Sequence, residues 1–218
     1  MKVSIFDFIL SGLAMAILWL VSALVTFGFL AEYFILFLGS YGYLVNLIFL
    51  FTFYGLFSGI AIKTLLFFRP LECGDFDMNH PNFTYWKLLT MLHMFGDKFL
   101  FSIKFPPMIP LIARLYGAKI GRYVAIGGTI DSPFLLQLGD HSVLGFESLV
   151  SGNVIQNGKI KIGKVNIGSG VTVGAYSFTM PDVEIGDGAI VVSGSVVVPG
   201  SQIRTGEVWK GNPARKWQ

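Results

Sequence analysis

Ile185-Gly-Asp-Gly-Ala-Ile-Val191-Val-Ser-Gly-Ser-Val-Val197-Val-Pro-Gly-Ser-Gln-Ile203 sets an aliphatic residue at every sixth place. The same spacing runs back through Thr179 and Val173 to Ile167. Before a break it runs over Ile120, Ile126, a weak rung at Ser132, Leu138, Leu144 and Val150. Four residues after the leading positions stand small or β-branched residues: Val124, Ile130, Ser142, Ser148, Val171, Ser177, Val183, Ala189, Ser195 and Ser201. A period of six fits neither a helix at 3.6 nor an isolated strand at 2. It fits a β-solenoid in which each six builds one short strand and one corner. The aliphatic residue points inward and the small one fills the corner. Three sixes close a coil, so residues eighteen apart stack at strand spacing, ~4.8 Å.

This repeat resembles the hexapeptide-repeat family of left-handed parallel β-helices, which are largely acyltransferases. The resemblance covers roughly the last hundred residues, and the bland alternative is an inert structural solenoid. It implies left-handed coils, an exception to the usual crossover rule. It also implies a homotrimer with active sites in the clefts between adjacent solenoids, and acetyl-CoA or another acyl-CoA as co-substrate.

The front of the chain is of another kind. Of the 218 residues, 53% are hydrophobic and only 13% charged, and the mean hydropathy is +0.65. That is too apolar for an ordinary soluble domain. Between Asp7 and Lys63 the only other formal charge is Glu32. This suits two membrane spans of ~20 residues rather than one. They are predicted at about 8–30 and 42–66, with a turn at Gly39-Ser40-Tyr41-Gly42. The apolar stretch is too long for a cleaved signal peptide. Lys2, Lys63 and Arg69 flank the spans while the turn has no Lys or Arg. The positive-inside rule therefore puts both termini, and the solenoid with them, on the cytoplasmic side.

From Arg69 to Gly117, aromatics interleave with Lys87, Lys98 and Lys104, the mixture of an interfacial helix with snorkelling lysines. It is predicted to run from about Trp86 through Phe105, stopped by Pro106-Pro107. The expected architecture is thus a left-handed parallel β-helix over 118–218, preceded by a membrane domain (1–70) with two transmembrane α-helices and an interfacial helical linker (71–117). The net charge of +3 is too small and dispersed to argue for nucleic acid. The single cysteine, Cys73, supports neither an internal disulfide nor a zinc cluster.

The chemistry is expected where the repeat breaks, between Val150 and Ile162. Galactoside and antibiotic acetyltransferases of the resembling family open this loop with a histidine, the general base that takes the proton of the acceptor hydroxyl. Here that position is Asn153, and an amide cannot take up a proton near neutral pH. Three accounts stay open: an introduced inactivating change, a natural binding or structural descendant, or a base supplied elsewhere. His141 is the only histidine of the solenoid, at a different corner of the coil; it and Glu147, an orienting group at the intervening corner, are the other catalytic candidates. A zinc enzyme resembling the γ-type carbonic anhydrases needs three histidines on the coils, so no metal is expected.

Ile167 to Ala175 and Ile185 to Ser193 resemble the coils that hold the pantetheine arm of coenzyme A. Ala175 and Ser193, eighteen apart, are expected to offer open backbone N–H and C=O groups. Thr172 stands where family members commonly have Trp. The tail around Lys210-Gly-Asn-Pro-Ala resembles the family's terminal motif, and Arg204, Lys210, Arg215 and Lys216 are expected at the cofactor's phosphates.

The layout as a whole resembles the membrane-embedded terminal modules of some bacterial peptide synthetases. It implies a membrane-anchored O- or N-acetyltransferase acting on a small or lipid-linked acceptor at the membrane. Binding of acyl-CoA without efficient turnover is expected. The alternative is a non-catalytic trimeric membrane scaffold or acyl-CoA-binding protein.

Overall fold

A computed structural model describes residues 5–101 and 106–217. Lys2, Lys104 and Phe105, used above, lie outside them. The chain divides into two units, one from Met1–Pro70 with Thr84–Lys104, the other from Leu71–Phe83 with Phe105–Gln218.

The first unit is helical. Helix α1 (Ile5–Val25) passes through a π-helical turn (Thr26–Leu30) into α2 (Ala31–Leu38), and α3 spans Gly42–Phe68. Together they form a helical run, Ile5–Phe68, long and apolar enough to cross a membrane. The run reverses at the expected turn. Gly39 has φ 55° and ψ −131°, a combination open almost only to glycine. A Cβ on Gly42 would lie 2.7 Å from the Ile35 backbone, so the two arms close tightly. Trp19 then meets Phe51 and Tyr54 at centroid distances of 5.7 and 4.8 Å.

Burial in this unit runs against the usual order. Asp7, Ser11, Ser22, Thr26, Asn46 and Ser58 are buried, while Phe8, Leu13, Leu24, Phe37, Leu47 and Phe67 are exposed.

Helix α4 (Pro81–Phe101) departs from the linker expectation. From Thr84 onward it belongs to the helical unit. Lys87, expected at headgroup level, is buried in an ion pair with Asp7, whose other oxygen accepts the Thr84 hydroxyl at 2.7 Å. Phe99 stacks on Phe51 at 4.7 Å, and Gly55 leaves space for the carbonyl of Gly96. Aromatics and lysines in one helix do not by themselves distinguish a membrane surface from a helix partner; the buried Asp7 decides here.

The second unit is a parallel β-solenoid of about 5 turns. Face one stacks strands at Lys119–Ile120, Leu136–Leu138, Val165–Ile167, Val183–Ile185 and Gln202–Ile203. Face two stacks Ala125–Ile126, Val143–Leu144, Thr172–Val173, Ile190–Val191 and Val208–Gly211; Ala214–Lys216 folds back antiparallel on the last. Face three holds Thr129–Ile130, Leu149–Val150, Phe178–Thr179 and Val196–Val197. Most pairs are eighteen residues apart, as Ile167 with Ile185 and Val173 with Val191. The aliphatic rungs form one buried core. Corner serines satisfy their hydroxyls on backbone carbonyls: Ser142 on Gly168 at 2.7 Å, Ser148 on Gly145 at 2.9 Å. Before the first coil, helix α5 (Ile109–Leu115) sends Arg114 to the carbonyls of Ile120 and Gly121 at 2.8 and 2.6 Å.

The faces differ outwardly. Face one presents Lys119, Gln137, Asn166, Glu184 and Gln202 in register. Face two presents Ala125, Val143, Thr172, Ile190 and Val208, and face three Thr129, Leu149, Phe178 and Val196.

Two details correct the sequence reading. Ser132 is not a rung; Ile130 takes that place, paired with Val150. The corner at Gly127-Gly128 is shortened, because Gly128 lies so close to the Ser148 carbonyl that a Cβ has no room. Secondly, the break after Val150 is not a loop. Asn153–Gln156 and Lys159–Ile162 form a β-hairpin, turning at Asn157 and Gly158 (φ 50° and 73°), and Gly74–Asp77 adds a third antiparallel strand. Cross-strand charges match, Lys161 with Asp75 at 3.9 Å and Lys159 with Asp77 at 3.8 Å.

Candidate functional site

Three corners separate the faces, and the expected site residues divide among them. The hairpin arm leaves the solenoid after face three, where the Gly163 N–H donates to the Gly152 carbonyl at 2.9 Å and pinches its base. Asn153 is the arm's first residue. Its Nδ2 donates to Asp131 Oδ2 at 2.7 Å and to Ser132 Oγ at 2.9 Å. The Ser151 hydroxyl lies 2.9 Å from the same Asp131 oxygen, and that of Ser132 lies 3.4 Å from it. Ser132 and Ser151 are buried, while Asp131 and Asn153 are half-buried. The position expected for a base is therefore an amide held against a carboxylate. Sequence reasoning missed Asp131, because a rung assigned to Ser132 left no reason to look there.

His141 and Glu147 stand at the other two corners, both with left-handed backbone (φ 57° and 53°). His141 is exposed and stacks on Tyr123 at 5.1 Å. Neither reaches Asn153 within one chain, and the carboxylate beside Asn153 is Asp131 rather than Glu147.

The corner after face two carries the second set. Val173 pairs with Val191, and Val191 with Trp209, so Ala175, Ser193 and Gly211 line up on successive coils. The Ala175 carbonyl is engaged, accepting the Gly194 N–H at 2.8 Å, which corrects the expectation that it stands open. The N–H groups of Ala175 and Ser193 meet no acceptor among the described residues. Thr172 is exposed on face two.

The four cations do not act alike. Lys210 and Arg215 pair across the tail hairpin beside Gly211. Lys210 sits 3.9 Å over the ring of Trp217, and Lys216 pairs with Glu207 at 3.0 Å. Arg204 lies at another corner, beside a shallow groove of about 490 Å³ lined with Gln137, Asn166, Glu184 and Gln202. That groove touches neither Asn153 nor Ala175. Among the described residues no cluster of His, Cys, Asp and Glu is arranged to hold a metal.

Residues 164–199 match the family described as bacterial transferase hexapeptide (six repeats). Delta-poly-L-ornithine synthetase of Acinetobacter baumannii (strain AB307-0294) is 27% identical over 120 residues, 55% of this chain and 9% of that protein. "Putative acetyltransferase YvoF" of Bacillus subtilis (strain 168) is 32% identical over 83 residues, 38% of this chain and 47% of that protein. A solved maltose O-acetyltransferase from Clostridium difficile 630 is 20% identical, with a TM-score of 0.48 over 68% of this chain and 93% of that one. The chain thus spans under a tenth of the first relative and about half of the second.

Proposed function

We propose, from the premise that the solenoid carries the bacterial transferase hexapeptide repeat, that this chain is a membrane-anchored acyltransferase. Acetyl-CoA or another acyl-CoA is the donor and a membrane-associated molecule the acceptor. The observation that carries this reading is the corner line Ala175–Ser193–Gly211. Its side chains are small or absent, so an extended arm can lie against the backbone. Two N–H groups on it meet no acceptor among the described residues and suit the amides of a pantetheine arm. An N–H facing the thioester carbonyl stabilises the oxyanion formed on attack. Lys210 and Arg215 stand at the line's end for phosphates.

Asn153 is at a different corner, so one chain alone does not assemble donor and acceptor sites. A homotrimer does, by repeating one heterologous contact until it closes. The apolar outward rows of faces two and three favour this, leaving polar face one to water. The inverted burial of the helical unit, with polar residues inside and aromatics outside, favours lipid as its solvent. The reversal at Gly39 favours two spans over one, and the position of Lys63 and Arg69 favours termini and β-helix on the cytoplasmic side of a bacterial inner membrane.

Asn153 cannot be the base for a hydroxyl acceptor, so turnover of such acceptors is low. An imidazole at 153 would stand beside the Asp131 carboxylate that now holds the amide. Asn153→Ala should leave the donor affinity unchanged, and Asn153→His should raise ester formation by about 10²–10⁴. The primary test is calorimetry of acetyl-CoA with the full chain in detergent. Binding is expected, and Ala175→Trp should abolish it whichever residue occupies 153. If the unaltered chain does not bind acyl-CoA, the trimeric scaffold is the better reading.

A further inference from the structure

We propose that Asp131 is the proton acceptor of this site and that it serves a primary amine; this rests on the acyltransferase reading above. The shortened corner at Gly127-Gly128 brings the rung forward to Ile130, so Asp131 and Ser132 fall at the corner from which the arm departs. One oxygen of Asp131 is surrounded by donors: Asn153 Nδ2 at 2.7 Å, Ser151 Oγ at 2.9 Å and Ser132 Oγ at 3.4 Å. The other oxygen, Oδ1, accepts no hydrogen bond among the described residues. No ion pair among the described residues uses Asp131. The site therefore holds a carboxylate with one oxygen fixed, one oxygen open and no cation beside it.

Such a group discriminates between acceptors in two ways. A primary amine is mostly an ammonium near neutral pH and is drawn to an unpaired carboxylate, whereas an alcohol is not. The bond-forming step differs as well. An aliphatic hydroxyl is about as weak an acid as water and needs a base as it attacks. An amine, once its ammonium proton has passed to solvent, attacks with its free lone pair. The N–C bond forms, the carbonyl electrons move to oxygen, and nitrogen becomes cationic and acidic. Its proton passes to Asp131 Oδ1, the carbonyl re-forms, and the C–S bond breaks. The departing thiolate of coenzyme A takes that proton, leaving an amide and the free thiol with the carboxylate restored. A carboxylate suffices because it takes the proton after the bond has formed. Asn153 is then a positioning residue, whose amide holds the carboxylate so that Oδ1 faces the cleft.

The experiment uses the full chain in detergent with acetyl-CoA and two acceptors of equal length, dodecylamine and dodecanol. Thiol release and product mass are followed above the uncatalysed background. The amide should form at least about tenfold faster than the ester. Asp131→Asn should lower amide formation by about 10²–10⁴ while acetyl-CoA affinity stays unchanged, which also reports that the variant is folded. Asn153→Ala should cost less, about tenfold, as for one lost hydrogen bond. Asn153→His should add ester formation. The proposal is overturned if ester forms faster than amide, if neither forms although acetyl-CoA binds, or if Asp131→Asn keeps its rate with binding intact. In each of those cases the donor reading stands. Failure of the unaltered chain to bind acetyl-CoA removes both.

Discussion

Glu207 accepts the indole N–H of Trp209 at 2.9 Å, the backbone N–H of Arg204 at 3.1 Å and the Lys216 ammonium at 3.0 Å. These donors, that of Trp209 foremost, lower its carboxyl from 4.5 to about 2. The folded pKa lies below the unfolded one, so this carboxylate's contribution is fully present above about 4.5 and is lost as pH falls towards about 2. Trp209 emission should shift to the red across that interval, and Glu207→Gln should abolish the shift, with Trp209→Phe identifying the reporter. Ile185 lies in the core between Ile167 and Ile203. Ile185→Ala should cost about 2–5 kcal/mol, read as a lowered denaturation midpoint of the solenoid. Ile185 was legible in the sequence as an inward aliphatic, whereas Glu207 was not singled out, its three donors being brought together only by the fold. Asn153 was legible as a departure. Asp131 was not, because the period of six assigned Ile130 to a corner, and only the pairing of Ile130 with Val150 reveals the shift.

The hairpin arm shows which elements a repeat conceals. Asn157-Gly158 is a strong two-residue turn signal, and Lys159-Ile-Lys-Ile alternates as a strand does. Against a regular period they looked like an interruption. The third strand, Gly74–Asp77, is beyond local reasoning, since its partner Lys159–Ile162 lies far along the chain. Lys161 faces Asp75 at 3.9 Å and Asp182 at 3.8 Å. Lys161→Glu would set like charges together at a half-buried position facing two exposed carboxylates, where such surface pairs contribute at most ~1 kcal/mol. The arm's amides should exchange faster while the melting of the coils stays nearly unchanged. Equal protection in both proteins would remove those pairs from the account of the arm.

At the scale of the molecule, one solenoid carries three unlike faces, and the proposed trimer uses two of them. Face one is a polar ladder, whereas Ile190 on face two and Phe178 on face three are apolar and only partly covered. If the proposed trimer forms through faces two and three, Phe178→Asp or Ile190→Asp should leave monomers by mass in detergent, while Glu184→Lys on face one should not. The helical reversal was read correctly from Gly39 to Gly42. The docking of α4 was not, since its buried Lys87 pairs with Asp7, distant in sequence.

A stack of parallel coils offers identical rungs at both ends, and nothing in the repeat itself limits its length. The antiparallel return of Ala214–Lys216 closes one end of face two, and Arg114 occupies carbonyls of the first coil at the other. Without them, the terminal coil of one molecule could add to the first coil of the next by ordinary strand pairing. The tail and α5 thus cover the edges at which such pairing would begin. A chain shortened to Gly211 should form rods that grow with concentration, visible by electron microscopy, while Arg114→Ala alone should only lower the concentration at which they begin.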